Sequence, residues 1–199
     1  MVSKYLYLAF VVLSVIAVSQ GAVSAQETTA ELPKARIDIS AEDGAFELMN
    51  IKATGDTDVI IETLTGETSN VTFAIVKEDA VASWRKLTIT FMPVKSGRVK
   101  ITLGGAHFEN MEEDHRSIVF DDLSIAKNDV ISNGGFEESD PDGKPVGWDG
   151  TPEVYISNKK EARTGSGAIQ VWHDQRLEQT IEVKGWNEYT INAYFKAAK

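Results

Sequence analysis

Short runs in which hydrophobic and polar residues alternate fill most of this chain from residue 36 onward. Two clear examples are residues 87–92, Leu-Thr-Ile-Thr-Phe-Met, and residues 98–103, Arg-Val-Lys-Ile-Thr-Leu. A period of two residues places the apolar side chains on one face of a β-strand. The Ser96-Gly97 pair between these runs predicts a hairpin turn.

Runs of this kind predict about eleven strands separated by turn residues. They are Arg36–Ser40, Phe46–Ile51, Val59–Leu64, Val71–Lys77, Leu87–Met92, Val99–Leu103, Ser117–Ile125, Glu153–Ser157, Ala168–His173, Leu177–Val183 and Tyr189–Lys196. Many short strands with regular turns are typical of an all-β sandwich or barrel. Helical spacing occurs only over residues 78–86, where no good capping residue begins the segment, and we expect a loop or a single helical turn there.

The N-terminal segment, residues 1–25, has a different pattern. Lys4 precedes the apolar run Tyr5–Val18, and the small-residue stretch Gly21–Ala25 follows it, with no acidic residue in the segment. This order predicts a secretory signal peptide cleaved after Ala25, and the apolar run is too short to cross a bilayer of roughly 30 Å. We expect a secreted or periplasmic protein with a flexible tail over residues 26–35 and a single domain over residues 36–199.

Composition and charge narrow the class of function. Hydrophobic residues make up 42% of the chain and charged residues 25%, and there is no cysteine, so the fold relies on core burial rather than on disulfides. The formal net charge of −10 makes nucleic acid and anionic membrane surfaces poor partners.

Turn-forming residues at Asn133-Gly134-Gly135 and over residues 139–145 mark an internal seam near residues 127–145.

Five motifs follow one another from this seam to the C-terminus. They are Asn133-Gly134-Gly135-Phe136-Glu137, Pro145-Val146-Gly147-Trp148, residues 164–171, Gln179-Thr180-Ile181 and residues 189–196. In this order they resemble the first half of carbohydrate-binding modules of families 4, 9 and 22. These modules are galactose-binding-domain-like jelly rolls usually attached to polysaccharide-degrading enzymes. The resemblance implies a jelly-roll β-sandwich that binds a polysaccharide such as a β-glucan or xylan without catalysis.

The second half of such a module resembles the segment that precedes the seam. The matching features are Trp84, the strands on either side of Ser96-Gly97, and Phe120-Asp121-Asp122-Leu123. The two halves are therefore exchanged in order, and three interpretations are open. The chain is a circularly permuted module, a fragment of a tandem array, or a unit whose C-terminal half completes a neighbouring molecule. The last interpretation gives the alternative function, a structural, adhesive or self-assembling protein that makes protein–protein contacts.

The resemblance also implies a structural calcium ion. In the family, a Glu of the first motif and an Asp of the last strand bind this ion together with backbone oxygens. The matching residues here are Glu137 and Asp122, with Glu138 and Asp121 beside them. Calcium takes about six to eight oxygen ligands, which distant segments of a fold can supply. The alternative is that these four carboxylates lie at solvated strand ends.

Alternation within two strands selects candidate carbohydrate-binding residues. If Ile169 and Val171 face the core, then Gln170 and Trp172 face outward, and Asn192 and Tyr194 face outward from the last strand by the same argument. Aromatic faces stack on pyranose rings, while amides bind hydroxyl groups. We expect these four residues to form a binding face with Gln179 and His173 at its edge. The alternative is that Trp172 and Tyr194 only cover the sheet.

The remaining tryptophans have other expected places. Trp84 and Trp148 match family positions that usually pack in the core, whereas Trp186 follows a glycine in a strand connection and is a candidate loop aromatic at a binding edge.

Catalytic signatures are not found in the sequence. The chain has no cysteine and no nucleophile elbow, and its three histidines are scattered. We therefore expect a protein that is not an enzyme. Its predicted partners are a polysaccharide, a polysaccharide-degrading enzyme encoded elsewhere, or further copies of itself.

Overall fold

The structure is a computed structural model that describes residues 32–41, 48–54, 60–65, 72–107, 116–126 and 130–199. The predicted signal peptide over residues 1–25 lies outside the described residues. Within them, no helix is long and apolar enough to cross a membrane.

Twelve β-strands make up the regular structure of the described residues, and the predicted all-β class is confirmed. They are β1 (Lys34–Ala41), β2 (Leu48–Thr54), β3 (Ile60–Thr65), β4 (Thr72–Asp79), β5 (Arg85–Pro93), β6 (Gly97–Gly105), β7 (Ile118–Ile125), β8 (Asp149–Gly150), β9 (Val154–Ser157), β10 (Gly167–Val171), β11 (Leu177–Val183) and β12 (Tyr189–Ala197). Each predicted run corresponds to one of these strands. Only the short β8 was not predicted.

The segment with helical spacing, residues 78–86, forms no helical turn. Strand β4 continues to Asp79, a bend follows at Ala82-Ser83, and β5 begins at Arg85. Backbone pairing explains the difference, because Lys34 and Ala35 of β1 pair with Asp79 and Glu78 and extend the strand. The expectation of a loop is thus confirmed for the end of this segment, and a helical turn is wrong.

The strands form two antiparallel sheets of a β-sandwich. Sheet A has the order β3-β4-β1-β6-β11-β8, and sheet B has the order β2-β5-β12-β7-β10-β9. Strands from both sides of the seam lie in each sheet: β6 pairs with both β1 and β11, and β12 lies between β5 and β7. The two halves of the sequence therefore complete the same sheets within one chain.

The core lies between the inner faces of the two sheets. Alternate residues of β1, β5 and β12 are fully buried, as in the pattern from Leu87 to Phe91. Trp148 is also buried, with its ring centre 5.3 Å from that of Phe136, as the sequence predicts. Trp84 is different, because it is half-buried and packs against a separate apolar cluster that includes Val119. The prediction of a core position for Trp84 is wrong.

This second cluster lies on the outer face of sheet B, the face that points away from the core. Val119 and Ala168 alternate along their strands with the core residues Phe120 and Ile169, so they point the other way. Ala162, from the β9–β10 loop (residues 158–166), completes the cluster. The loop therefore covers part of the outer face of sheet B.

Candidate functional site

A β-bulge in β7 contains two of the predicted calcium ligands. Asn192 of β12 pairs with Ser124, but Tyr194 pairs with Asp121, so two residues of β7 lie opposite one residue of β12. Asp122, inside the bulge, has a left-handed φ of 50°. Asp121 is fully buried and Asp122 half-buried. The bulge lets the carboxylates of consecutive residues contact the same loop.

That loop is the β9–β10 loop, which binds both carboxylates. Asp121 Oδ2 accepts hydrogen bonds from the backbone N–H groups of Arg163 at 2.7 Å and Thr164 at 3.3 Å. Asp122 accepts bonds from the Arg163 guanidinium at 2.5 Å and from the Thr164 hydroxyl at 2.7 Å. These bonds fasten the loop to β7.

Glu137 holds the next part of the chain. Its carboxylate accepts hydrogen bonds from the backbone N–H groups of Ser166 at 3.0 Å and Gly167 at 3.2 Å, and from the Ser166 hydroxyl at 3.1 Å. A Cβ atom at Gly165 would lie 1.9 Å from Glu137 Oε1, and Gly165 has a left-handed φ of 56°. The approach of Glu137 to the backbone thus requires glycine at this position.

The pKa values of the Asp121 and Glu137 carboxylates are shifted in opposite directions. Burial raises the pKa of Asp121 to about 6, and the negative charge of Asp122 adds to this, although bonds from backbone N–H groups oppose it. For Glu137, burial acts to raise the pKa, but the N–H groups of Ser166 and Gly167 outweigh it and lower the pKa. Asp121 is therefore the carboxylate whose ionised form is poorly stabilised.

The structure brings three of the four predicted calcium ligands to one place. We call Asp121, Asp122 and Glu137 the carboxylate cluster, since all three bind residues 163–167. Glu138 has an exposed side chain, and its backbone bonds to the Asn133 side chain and to the Val146 N–H. Over the described ranges, no three His, Cys, Asp or Glu side chains form a ready-made metal group. The oxygen chemistry of the cluster suits calcium, but Arg163 now neutralises Asp122.

Three predicted carbohydrate-binding residues share the outer face of sheet B, where each contacts another protein group. The Arg163 guanidinium lies 3.4 Å from the centre of the Tyr194 ring, close enough for a cation–π contact. Asn192 Oδ1 accepts a bond from the Thr88 hydroxyl at 3.1 Å. Gln170 Nε2 donates to Glu153 Oε2 at 3.1 Å. The Tyr194 ring therefore has one face covered by Arg163.

The two other predicted binding residues, Trp172 and Gln179, make different contacts. Trp172 follows the end of β10, with its ring centre 5.4 Å from that of His173. Gln179 is buried and points into the sandwich, where its amide donates to the carbonyl groups of Ser132 at 3.0 Å and Gly147 at 2.7 Å. Its Oε1 accepts from the Ser132 N–H at 2.8 Å. Because these bonds engage both ends of the amide, Gln179 fastens the seam to β11 and is left out of the site.

A groove on the outer face of sheet A was not predicted. Its volume is about 580 Å³, and it crosses β1, β6 and β11. We call it the sheet A groove; its lining residues are Asp38, Ser40, Lys100, Thr102, Gly150, Thr151, Asp174, Gln175, Arg176 and Glu178.

Ion pairs within β1 and between segments of sheet A hold the charged side chains of the sheet A groove. Arg36 donates two bonds to the carboxylate of Asp38, at 2.7 and 2.8 Å, and an Arg176 nitrogen lies 3.8 Å from the same carboxylate. Lys100 Nζ lies 3.3 Å from Glu178 Oε2. Donors and acceptors thus alternate across the groove in fixed positions.

Gly104 shapes one end of the sheet A groove. A Cβ atom there would lie 3.1 Å from Arg176 Cγ, so the absence of a side chain lets Arg176 lie flat on the sheet. The Arg176 Nε donates to the carbonyl group of His173. The His173 ring centre lies 4.9 Å from that of His107, and burial lowers the pKa of His173. An aromatic group thus borders the polar groove.

Comparison with known proteins gives no match: no protein-family model, curated protein or solved structure matches this chain.

Proposed function

We propose that this is an exported, non-catalytic protein that binds a polysaccharide in the sheet A groove. The observation that carries the proposal is the groove itself, a polar depression of about 580 Å³ lined by paired charges from three strands. That volume lies within the range of about 300–1,000 Å³ usual for small-molecule sites. The pattern of residues 1–25, which resembles a signal peptide, supports export.

The chemistry of the groove matches that of a sugar. Each hydroxyl group of a sugar both donates and accepts a hydrogen bond, and the groove offers carboxylate acceptors beside cationic donors. Asp38 and Glu178 keep acceptor capacity beyond their ion pairs, because each carboxylate has about four lone-pair sites. The ion pairs also fix the side chains before a ligand arrives, which lowers the entropy lost on binding.

The outer face of sheet B is a weaker candidate for the same ligand. A sugar stacking on Tyr194 would have to displace Arg163 from the ring, and Arg163 is also paired with Asp122. Gln179 does not join that face, because its amide is buried and bonded to backbone groups. We therefore retain the ligand predicted from the sequence and propose that it binds in the sheet A groove rather than on the outer face of sheet B.

The resemblance to carbohydrate-binding modules of families 4, 9 and 22 supports the same proposal. It assigns the sandwich to the jelly-roll type, with its halves in permuted order, and it implies a structural calcium. In our proposal Asp121, Asp122 and Glu137 would hold this ion, with oxygen atoms from two distant segments. Positive charge there would stabilise the ionised form of Asp121, whose pKa is otherwise raised to about 6.

Affinity electrophoresis in gels containing soluble β-glucan or xylan tests the proposal. We expect a polysaccharide to slow the wild-type protein, and the double variant Lys100→Ala/Glu178→Ala to lose most of this retardation. The matched control is Lys34→Ala/Asp79→Ala, which removes an ion pair of sheet A outside the groove. Unchanged retardation of the groove variant would contradict the location, and no retardation of the wild type would contradict the function.

A further inference from the structure

Trp186 is an exposed tryptophan in a strained backbone conformation. Its exposed fraction is 66%, the largest among the large hydrophobic residues of the described chain. Its φ is +61°, in the left-handed region that bulky residues rarely adopt. Burial of the indole does not explain this residue, and glycine or asparagine would suit the turn better.

The turn that carries Trp186 is firmly held. The Trp186 N–H donates to the carbonyl group of Pro93 at 2.7 Å, and the Gly185 N–H donates to Ser96 Oγ at 3.1 Å. A Cβ atom at Gly185 would lie 2.8 Å from Lys95 Cα, so the turn packs directly on the β5–β6 hairpin. These contacts hold the indole in solvent at one end of the sandwich.

A cavity of about 810 Å³, with apolar as well as polar lining residues, lies beside the same turn. Lys184 and Asn187, on either side of Trp186, line it together with Arg98 and Glu182 from the outer face of sheet A. An exposed indole beside a cavity that offers charged and amide groups suits the apolar face and the hydroxyl groups of a pyranose ring. A protein partner or a membrane would instead favour a contiguous apolar patch.

The cavity lies beside the sheet A groove. Arg98 of the cavity and Lys100 of the groove are two residues apart on β6, on the same face, and therefore about 7 Å apart. A linear ligand that follows β6 out of the groove would reach this cavity, beside the turn that carries Trp186.

We propose that Trp186 is a second contact site for the polysaccharide, where its indole stacks on a pyranose ring of a chain that also fills the sheet A groove. The ligand is accordingly a linear glycan long enough to reach both places. This inference rests on the proposed function, since it takes the same ligand class.

Three variants test the contact. Trp186→Asn removes the indole and keeps a residue that tolerates a left-handed φ, Trp186→Tyr restores an aromatic ring, and Val146→Asn is the control at another exposed apolar residue. The measurement is affinity for the polysaccharide that binds the wild type and for a short oligosaccharide of it, each by calorimetry. We expect Trp186→Asn to weaken polysaccharide binding at least about tenfold, the affinity for the short ligand to change little, and Trp186→Tyr to restore much of the loss.

The outcomes separate this inference from the proposed function. If the wild type binds and Trp186→Asn binds equally well, the proposed contact at Trp186 is contradicted, and the proposed binding in the sheet A groove is not. If the wild type binds no glycan, both are wrong. Light scattering that shows self-association of the wild type, lost in Trp186→Asn with glycan affinity unchanged, would assign the indole to a protein contact and overturn the inference.

Discussion

The guanidinium of Arg163 lies 3.4 Å from the centre of the Tyr194 ring and so covers one of its faces. The same guanidinium is 2.5 Å from Asp122 Oδ2. One side chain thus connects the carboxylate cluster to the outer face of sheet B and covers one face of a ring that the sequence predicts to bind sugar.

Removing Arg163 should weaken the attachment of the β9–β10 loop. We expect Arg163→Ala to lower the free energy of unfolding by about 1 kcal/mol, since a partly exposed ion pair and a cation–π contact are both lost. Urea unfolding of the two proteins in calcium-free buffer measures this. Arg163→Lys, which keeps the charge without the planar stack, should fall between them. Equal stability of Arg163→Ala and wild type would show that the contact does not hold the loop.

Asp121 should make the calcium-free protein less stable as the pH rises. Its folded pKa of about 6 is above its ordinary value of 3.8, so the stabilisation from protonation is complete below about pH 4 and lost as the pH passes 6. We expect Asp121→Asn to remove this part of the pH dependence. Urea unfolding at pH 4.5 and pH 7 with EGTA provides the comparison, and the same pH profile in both proteins would contradict a raised pKa.

Calcium should stabilise the protein through the carboxylate cluster. An ion bound only by the folded state raises the melting temperature, and the increase grows with the logarithm of the ion concentration above the dissociation constant. We expect a melting temperature several degrees higher with millimolar calcium than with EGTA, and little difference in Glu137→Gln. Superimposable melts of the wild type in calcium and EGTA would exclude a structural calcium.

Gly165 should be intolerant of any side chain. In Gly165→Ala the new Cβ atom would lie 1.9 Å from Glu137 Oε1, so the cost adds a displaced carboxylate to the strain of a left-handed φ. The matched control is Gly143→Ala, where φ is +80° but the nearest contact, Tyr155 Cβ, is 3.7 Å away. We expect Gly165→Ala to lose at least about 1 kcal/mol more than the control. Equal losses would mean that Glu137 moves aside freely.

The strands were predictable because their patterns are local. Alternation located each of the longer strands. The same pattern places Gln179 on the buried face of β11, which argues against its predicted role in carbohydrate binding. Leu177, Ile181 and Val183 are buried at alternate positions of β11, and Gln179 falls in the same series. An amide in that series faces inward and binds backbone groups rather than a ligand.

The sheet A groove was not predictable because it depends on which strands are neighbours. Asp38 and Lys100 are far apart in sequence, and they meet only because β1 pairs with β6. The bulge at Asp122 likewise depends on the register between β7 and β12. Long-range pairings of this kind leave no periodic pattern in the sequence.

The most direct test of the central claim is the affinity of the purified protein for a soluble β-glucan or xylan, measured by calorimetry alongside Lys100→Ala/Glu178→Ala and Tyr194→Ala. We predict that the wild type and Tyr194→Ala bind alike and that the groove variant loses at least about tenfold in affinity. Loss of binding in Tyr194→Ala with the groove variant unaffected, or no binding by the wild type, would contradict it.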